Sequence, residues 1–273
     1  MSEAVSPSRS GADPMVVRQL VDGVMRLTLN NPPTNALSIG MMEALQAALQ
    51  DVGKDEAVRV VVIAAAGNVY SAGHDLKELT AHRSDEDRGL AFYEKTMGMC
   101  SEIMIAITRL PKPVIAEIDG VATAAGCQLV ATCDLAICTD TSSFCTPGVN
   151  IGLFCSTPMV AVSRAAHRKQ AMEMLLTGEP VDASTAKEFG LVNRIVPREY
   201  LRTVVDKYAS NIASKSALTL KLGKEAFYQQ IERPLSEAYD YTAWVMAQNM
   251  LAHDAEEGIN AFLEKRDPEW TDR

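Results

Sequence analysis

The stretches Ser71-Ala-Gly-His-Asp75 and Ala122-Thr-Ala-Ala-Gly-Cys127 decide the fold of this chain, because each follows an apolar run typical of a buried strand. The first comes after Val58–Ala64, and the second comes after Pro113–Ile118 and the turn pair Asp119-Gly120. Small side chains let another molecule approach main-chain N–H groups closely. Two N–H groups that converge on one oxygen can stabilise negative charge developing there. A simpler interpretation is that both stretches are tight strand-to-helix turns packed with alanine.

Apolar periodicity around these stretches predicts an α/β fold. Strand patterns cover residues 16–21, 24–30, 58–64, 113–118 and 135–138, and helical patterns cover 38–52, 86–108 and 123–133. Asp22-Gly23 between the first two strands is a hairpin signal, and Ser38 can cap the first helix. Alternating strands and helices indicate a layered sheet with right-handed crossovers. After Pro197 the pattern is helical, over residues 198–213, 217–230, 234–252 and 254–265.

Composition narrows the function classes. With 47% apolar and 22% charged residues among 273, the chain has the ordinary balance of a globular protein. The net charge of −9 argues against nucleic acid as a partner, because its phosphates would be repelled. No uninterrupted apolar stretch approaches the length of a membrane span, so no membrane partner is expected. Six cysteines without a Cys-x-x-Cys pair and four scattered histidines predict reduced thiols and no metal site.

The beginning of the chain bears on its location. Residues 1–14 are polar, rich in Ser, Pro and Gly, and lack an apolar segment. This composition predicts a disordered leader. A mitochondrial transit peptide is typically richer in arginine and poorer in acidic residues. The expected location is therefore the cytoplasm.

Three motifs stand in order along the chain. They are Ser71–Leu79, then Asp119–Gln128 followed by Cys133-Asp-Leu135, then Met172–Gly178 leading to Gly190-Leu-Val192 and Val196-Pro197. From about Val16 to about Arg266 this pattern resembles the enoyl-CoA hydratase/isomerase (crotonase) family, and above all its divergent enoyl-CoA hydratase domain-containing branch. The resemblance implies an α/β spiral of ββα units, followed by helices that build homotrimers, often paired into homohexamers.

The resemblance also divides the chain and implies its ligand. Residues 1–14 are expected to form the leader, 15–197 the acyl-CoA-binding core, and 198–273 the helical trimerisation region. The ligand is an acyl-CoA thioester of fatty acid metabolism, handled by a lyase or isomerase. Coenzyme A is part of that substrate, so no separate cofactor is expected. Its anionic phosphates need a local basic patch, for which the candidates are Lys77, Arg83, Arg109 and Lys112, although each is also explained as a solvated surface charge.

The family's motif assigns two oxyanion-hole donors to the backbone N–H groups of His74 and Ala125. If Thr123 opens a helix, the N–H groups of residues 124–126 are among its unpaired donors and lie at the positive end of its dipole. Ala125 stands where the family usually has glycine, and its methyl group is expected to narrow the pocket. The implied substrate-binding residues are Ala36, Ala72, Gly73, Asp75, Leu76, Lys77, Gly126, Pro147 and Leu153.

Two departures from the family pattern affect the chemistry. Hydratases of the family hold and activate a water molecule with two glutamates, and this chain has Gln128 and Gly148 at those positions. A glutamine amide can orient water but cannot take its proton, and glycine can do neither. Positioned acid–base groups contribute about 10²–10⁴-fold each, so efficient hydration is not expected even though the oxyanion hole remains.

Other side chains suggest different reactions. His74 and the segment 146–152 are similar to parts of the family's methylmalonyl-CoA decarboxylases, whose functional tyrosine falls on Cys155 here. A CoA-thioester decarboxylase or hydrolase that uses His74 or Cys155 is therefore one alternative. A nucleophilic Cys155 requires a lowered pKa, and otherwise the residue is a small apolar filler. His74 can equally line the CoA groove. A further alternative is a non-catalytic acyl-CoA-binding protein that kept the pocket and lost the acids.

Overall fold

The computed structural model of the chain describes residues 14–273, and its strands form two sheets. The strands are β1 (Val16–Val21), β2 (Val24–Leu29), β3 (Val60–Ala65), β4 (Val69–Ser71), β5 (Val114–Ile118), β6 (Val121–Thr123), β7 (Leu135–Thr139), β8 (Ser143–Cys145), β9 (Val181–Asp182) and β10 (Arg194–Val196). The large sheet has the order β1-β2-β3-β5-β7-β10, and the small sheet has the order β4-β6-β8-β9.

Helices connect and cover these sheets. They are α1 (Ile39–Lys54), α2 (Leu76–Ala81), α3 (Leu90–Arg109), α4 (Ala125–Thr132), α5 (Pro158–Ala165), α6 (Arg168–Thr177), α7 (Ala183–Phe189), α8 (Leu201–Ala213), α9 (Ala217–Gln230), α10 (Leu235–Met250) and α11 (His253–Glu264). Short 3₁₀ turns cover His82–Ser84, Pro147–Ile151 and Arg198–Tyr200.

The chain winds as a spiral between the two sheets. The strand pairs β3/β4, β5/β6 and β7/β8 each place their first member in the large sheet and their second in the small one. Neighbouring strands from successive turns run parallel, with Val61 opposite Val114 in the large sheet and Val121 opposite Ser143 in the small sheet. Parallel neighbours require the intervening chain to cross back, and α3 and α4 make those crossings.

The corners between the sheets stack tightly. Gly120, between β5 and β6, has φ of +93°, and a Cβ built on it would lie 1.9 Å from the carbonyl oxygen of Asn68. The Ser142 hydroxyl, from the next corner, accepts a hydrogen bond from the Gly120 N–H at 3.3 Å. Only glycine combines this backbone conformation with so close an approach, so the Asp119-Gly120 pair is required by the spiral itself.

Two apolar layers hold the large sheet. On β3, Val61 and Ile63 face the main core beneath α1 and α3, whereas Val60 and Val62 face α8. Both faces are therefore buried, as expected for a parallel strand that is apolar throughout. The prediction of a doubly buried strand over 113–118 is confirmed, since β5 contributes Ile115 to the α8 layer and Val114 to the main core.

Local signals located several elements correctly. Val21 pairs with Val24 across the predicted hairpin turn, and the Ser38 hydroxyl accepts a hydrogen bond from the Met41 N–H at 3.2 Å to cap α1. The predicted start of the long helix at residue 86 is wrong. The helix begins at Leu90, because Gly89 is left-handed with φ of +88° and the preceding residues form a turn.

The last helices expose much apolar surface. Leu235, Leu251 and Phe262 are 75%, 81% and 82% exposed. Helix α9 is attached to the core by Lys224, whose ammonium donates to the Asp134 carboxylate at 2.6 Å, and by the Tyr228 hydroxyl, which donates to the other oxygen of Asp134 at 2.8 Å. The helical predictions over residues 198–265 agree with α8 to α11.

Candidate active site

Three segments of the candidate site follow three neighbouring parallel strands. Residues 72–75 follow β4, residues 124–126 follow β6, and residues 146–148 follow β8. The carboxyl ends of parallel strands meet at one edge of a sheet, which is where open α/β folds bind ligands. The small sheet therefore brings together segments that are separated by about 50 and about 20 residues in sequence.

The first two segments are in close contact through their glycines. A Cβ on Gly73, whose φ is +83°, would lie 2.9 Å from the Ala124 Cβ and 3.1 Å from the Ala125 nitrogen. A Cβ on Gly126 would lie 2.3 Å from the Ser71 carbonyl oxygen. The small residues are thus needed for tight packing between the two turns. This packing also holds the Ala125 nitrogen beside the peptide that carries the His74 N–H.

The backbone N–H groups of His74 and Ala125, the expected oxyanion-hole donors, differ in hydrogen bonding from the N–H of Ala124. Among the described residues, no acceptor takes a hydrogen bond from the backbone N–H of His74 or of Ala125. The N–H of Ala124 instead donates to the Cys145 carbonyl oxygen at 2.9 Å. The expectation that Ala124 also offers a free donor is therefore wrong, because α4 begins at Ala125 rather than at Thr123.

Ala124 itself has an unusual backbone. Its φ of +50° and ψ of −118° lie outside the regions that L-residues with a Cβ prefer. Such residues store about 1–3 kcal/mol of strain. The neighbouring Ala125 side chain is fully buried and belongs to the main core. The expected narrowing of the pocket by the Ala125 methyl group is not observed, because that methyl group packs into the core.

The His74 imidazole supplies a basic atom to the site. Its Nδ1 lies 3.4 Å from the Leu37 carbonyl oxygen, which can only accept, so Nδ1 carries the proton of the neutral ring. The buried Nε2 has no hydrogen-bond partner within residues 14–273. Burial lowers the pKa of His74 below its usual 6.5, against a smaller opposing effect of the Leu37 hydrogen bond. The ring is consequently neutral at pH 7, with its Nε2 lone pair free.

Gln128 lies in α4, one turn after Ala125. It is 3% exposed, and its side-chain oxygen accepts a hydrogen bond from the Cys100 thiol at 3.8 Å. It also lines a groove of about 1580 Å³ between α3, α4, α5 and α9. Among the residues predicted as catalytic, all within the described range, Gln128 alone lines this groove.

Gly148 lies in the 3₁₀ turn that follows β8. A Cβ there would lie 3.0 Å from the Cys155 Sγ and 3.1 Å from the Leu153 carbonyl oxygen. In this conformation the turn has no space for a larger side chain. Cys155 is buried, and burial raises the pKa of its thiol, with a smaller lowering from the Gly148 N–H. This direction is opposite to the one that a nucleophilic thiol requires.

The structure distributes the expected substrate-binding residues around the first turn and the β8 turn. Ala36 is buried beside the Thr34 carbonyl that accepts from the Ala72 N–H at 2.9 Å. Asp75 caps α2 by accepting from the Lys77 N–H at 2.8 Å. The remaining members are Gly73 and Gly126 at the loop contact, exposed Leu76 and Lys77 on α2, half-buried Pro147 at the start of its turn, and exposed Leu153.

The basic side chains expected to bind the CoA phosphates do not all lie together, and one of them is engaged in hydrogen bonds within the protein. Lys112 donates to the Val52 and Asp55 carbonyl oxygens at the end of α1, so its charge serves that helix terminus. Arg109 lines the groove beside Gln128, whereas Arg83 lies with Arg88 and Tyr93 in a separate small depression.

Two polar side chains of the site were missed by the sequence interpretation. The Thr146 hydroxyl is fully buried and has no hydrogen-bond partner within residues 14–273. Cys100, from α3, contacts Gln128 across 28 positions of sequence. No local pattern could have identified Cys100, because the contact is made only when α3 packs on α4.

Comparisons with known proteins show the family and the fold of this chain. Residues 19–273 match the family model described as enoyl-CoA hydratase/isomerase. An enoyl-CoA hydratase domain-containing protein 3 of Xenopus laevis is 46% identical over 94% of this chain and 86% of that protein. Among solved structures, an enoyl-CoA hydratase of Mycobacterium smegmatis is 49% identical, with a TM-score of 0.90 over 94% of this chain and 99% of that one.

A crystal structure of human enoyl coenzyme A hydratase domain-containing protein 3 has a TM-score of 0.89 and 45% identity, covering 94% of this chain and all of that one. The two-sheet spiral with its C-terminal helices is therefore a crotonase fold, as predicted. The chain belongs to the enoyl-CoA hydratase/isomerase family, in its divergent enoyl-CoA hydratase domain-containing branch. The family consists of enzymes that bind acyl-CoA substrates.

The expected cytoplasmic location is contradicted. Relatives from Xenopus laevis, Rattus norvegicus, Mus musculus and Homo sapiens are named enoyl-CoA hydratase domain-containing protein 3, mitochondrial. The prediction depended on the composition of residues 1–14, and a segment so short carries little information on compartment. The predicted leader, apart from Pro14, lies outside the described residues.

Two further features, metal-binding clusters and membrane-spanning helices, concern the same described residues. Between residues 14 and 273, no group of three His, Cys, Asp or Glu side chains is arranged to hold a metal ion. Over the same part of the chain, no helix is both long and apolar enough to cross a membrane.

Proposed function

We propose that this protein binds an acyl-CoA thioester and stabilises its enolate between the backbone N–H groups of His74 and Ala125. The supporting observation is that these two N–H groups have no hydrogen-bond partner among residues 14–273 and lie on two turns that follow β4 and β6 and pack against each other. Ala125 is the first residue of α4, so the helix dipole adds positive potential there. One such donor is typically worth about 2.7–4 kcal/mol in the transition state. Coenzyme A enters as part of the substrate.

Hydration of the enoyl double bond is expected to be slow. Gln128 cannot accept a proton from water, and the turn around Gly148 holds no side chain that could. The enolate-stabilising part of the site is thereby retained without the carboxylates that ordinary hydratases of the family use.

The first test is product analysis. Purified protein is incubated with acyl-, enoyl- and malonyl-type CoA esters, and products are followed by mass spectrometry. Slow turnover of one ester class supports the proposal. Efficient crotonyl-CoA hydration, near the diffusional limit for kcat/KM, contradicts the role given to Gln128 and Gly148. Binding without conversion of any ester would establish a non-catalytic acyl-CoA-binding protein instead.

The second test removes one donor. Ala125→Pro deletes the N–H at the first position of α4, where helices tolerate proline best. We expect turnover to fall by about 10²–10³-fold if that N–H stabilises the enolate. His253→Pro, at the exposed first residue of α11, is the control for the loss of a helix's first N–H at a site without the tight contacts around Ala125. Circular dichroism checks that both variants fold, and unchanged turnover in folded Ala125→Pro would refute the assigned oxyanion hole.

A second candidate function is decarboxylation or hydrolysis of a CoA thioester. It is favoured by the neutral His74, whose buried Nε2 lacks a partner and can accept a hydrogen bond or a proton. In decarboxylation the C–C bond electrons pass into the enolate held by the two N–H groups, and carbon dioxide leaves. If His74→Ala turned over malonyl-type thioesters at the wild-type rate, decarboxylation or hydrolysis that depends on His74 would be ruled out.

We also propose that the C-terminal helices join three copies of the chain, which can pair into a hexamer. The number of large apolar side chains exposed on α10 and α11, with Leu235, Leu251 and Phe262 the most exposed, supports this, because large exposed apolar surface marks protein–protein interfaces. Sedimentation of the purified protein tests the proposal. A monomer at micromolar concentration would contradict it.

A further inference from the structure

The segment that follows α11 turns back along that helix. Glu257, in α11, accepts two hydrogen bonds from the Arg266 guanidinium, at 2.6 and 2.9 Å. The Trp270 ring lies against Gly258, where an added Cβ would be 3.0 Å from a ring carbon. These contacts lead residues 270–272, which we call the strap, towards the body of the protein.

The strap joins the beginnings of three elements. Asp272 accepts a hydrogen bond from the Arg59 guanidinium, directly before β3, at 2.6 Å, and one from the N–H of Ala217, the first residue of α9, at 2.7 Å. The buried side chain of Asp254, in the first turn of α11, accepts from the N–H groups of Thr271 and Asp272 at 2.8 and 2.9 Å. The hydrogen bond from Arg59 lowers the pKa of Asp272, so this carboxylate is charged at neutral pH. The pair is bidentate, with a second contact at 3.3 Å, a geometry in which a partly exposed ion pair has measurable strength.

Helix α9 is capped both locally and by the strap. Its N-cap residue Ser216 accepts a hydrogen bond from the Thr219 N–H at 3.2 Å. Asp272, 55 positions after Ala217, accepts the Ala217 N–H and places a negative charge at the positive end of the helix dipole. The local cap moves with the helix, whereas the strap relates the beginning of the helix to β3 and α11.

The helical hairpin formed by α9 and α10 has little apolar attachment to the body. Within residues 14–273, Ala226 is the one buried residue of α9 and Ala238 is that of α10. Segments with few buried apolar contacts are the ones that open most easily. The middle of α9 is held by the ion pair of Lys224 with Asp134, and Lys224 lies about 10 Å along the helix from Ala217. A helix held at both points cannot pivot, whereas a helix held only at Asp134 can.

We infer that the strap fixes the direction in which the α9–α10 hairpin projects, and that its release lets the hairpin pivot about Asp134 while both sheets stay folded. This conformational device goes beyond the proposed function, because it requires no acyl-CoA. One consequence rests on the proposed assembly of three copies. A hairpin that is already fixed in direction loses less conformational freedom when a second copy binds its apolar surface.

Hydrogen exchange of the full chain, followed by mass spectrometry on peptides of α9, α10, β3 and β5, tests the strap. Asp272→Ala should raise the exchange rates of α9 and α10 about tenfold, since it removes charge-assisted hydrogen bonds, and leave those of β3 and β5 unchanged. Asp272→Asn should raise them less, because its amide oxygen can still accept the Ala217 N–H. Asp267→Ala is the matched control, because Asp267 is an exposed acid of the same segment whose side chain has no partner within residues 14–273.

Two results would overturn the strap. Exchange of α9 and α10 that is as slow in Asp272→Ala as in Asp267→Ala would show that Asp272 holds nothing. An equal rise in β3 and β5 would show that Asp272 stabilises the whole fold rather than the direction of the hairpin.

Trp270 reports on the strap directly, because it and Trp244 are the two tryptophans of the chain. Trp244→Phe leaves Trp270 as the single reporter, whose indole N–H donates to the Ser214 carbonyl oxygen at 2.9 Å. Adding Asp272→Ala should shift the emission to longer wavelength and increase its quenching by acrylamide, because the ring becomes more accessible to water. Unchanged emission together with faster exchange of α9 would mean that the hairpin loosens with the strap still attached, and would overturn the link between them.

Sedimentation of the same variants separates the strap from the proposed assembly. If the wild-type protein forms trimers, Asp272→Ala should raise their dissociation constant, because only molecules with the correct hairpin direction can associate. A monomeric wild-type protein in which Asp272→Ala still accelerates exchange would contradict the assembly and support the strap. Trimers and exchange that are both unaffected by Asp272→Ala would contradict the strap and leave the assembly standing.

Discussion

The candidate site has two halves that differ in what they depend on. The backbone half consists of residues 72–75 and 124–126, and the side-chain half consists of Gln128 with residues 146–148. A Cβ on Gly73 or on Gly126 would lie less than 3 Å from an atom of the other turn, so the two turns are packed together closely and the positions of their N–H groups follow from the fold. The side-chain half depends on individual residues, and there we propose that the chain departs from the family's hydratases. The fold therefore fixes the position of the backbone half, whereas single substitutions can change the side-chain half.

The largest effect is expected where the backbone half is most crowded. Gly126→Ala places a Cβ 2.3 Å from the Ser71 carbonyl oxygen, within two turns that cannot move apart without breaking the small sheet. We expect a loss of about 3 kcal/mol in the free energy of unfolding, and loss of acyl-CoA binding. Urea denaturation measures the first quantity. Gly98→Ala in α3 is the control, and it should stabilise, since no atom lies within 4 Å of its added Cβ.

A smaller loss is expected in the side-chain half. Gly148→Ala brings a Cβ to 3.0 Å from the Cys155 Sγ, which can shift, and to 3.1 Å from the Leu153 carbonyl oxygen. We expect about 1–2 kcal/mol of destabilisation in urea. A neutral or stabilising effect would mean that the β8 turn adapts freely and that the two halves do not differ in rigidity. Gly223→Ala, in open space on α9, provides the comparison.

A gain in stability is expected at the strained residue of the backbone half. Ala124→Gly removes the strain of a side chain at φ of +50°, which raises the free energy of unfolding. Glycine also loses more backbone entropy on folding, which offsets part of that gain. The net expectation is about 1 kcal/mol of stabilisation, seen as a higher urea midpoint. The same substitution at exposed Ala47, inside α1, should lower the midpoint. Equal losses at both positions would show that Ala124 stores no strain.

The smallest effect concerns pH. Because burial lowers the pKa of His74, the unfolded chain binds more protons than the folded one below about pH 6.5. Stability should therefore decrease as the pH falls from 7 towards 5, and this contribution should vanish in His74→Gln. The control is His167→Gln, which removes an exposed histidine. A pH dependence equal in His74→Gln and the wild-type protein would place the titration elsewhere.

Local patterns predicted much of the fold. The Asp22-Gly23 turn, the Ser38 cap and the apolar run of β5 each depend on neighbours within a few residues, and all three agree with the structure. The small sheet escaped prediction, because strands of three residues carry too little periodicity to be recognised. The start of α4 was misplaced by two residues, because Ala124 adopts a φ of +50° that alanine rarely has and that its residue type does not indicate.

By itself the sequence determined the layered α/β character and the family, since both can be read from residue types and their order. Only the tertiary structure decided that β4, β6 and β8 lie side by side, that the Ala124 N–H is bonded while that of Ala125 is not, and that Cys100 faces Gln128. The physical reason is distance along the chain. Hydrogen bonds such as Ala124 to Cys145 and Cys100 to Gln128, which join residues 21 and 28 positions apart, exist only after the spiral has closed, and no local pattern encodes them.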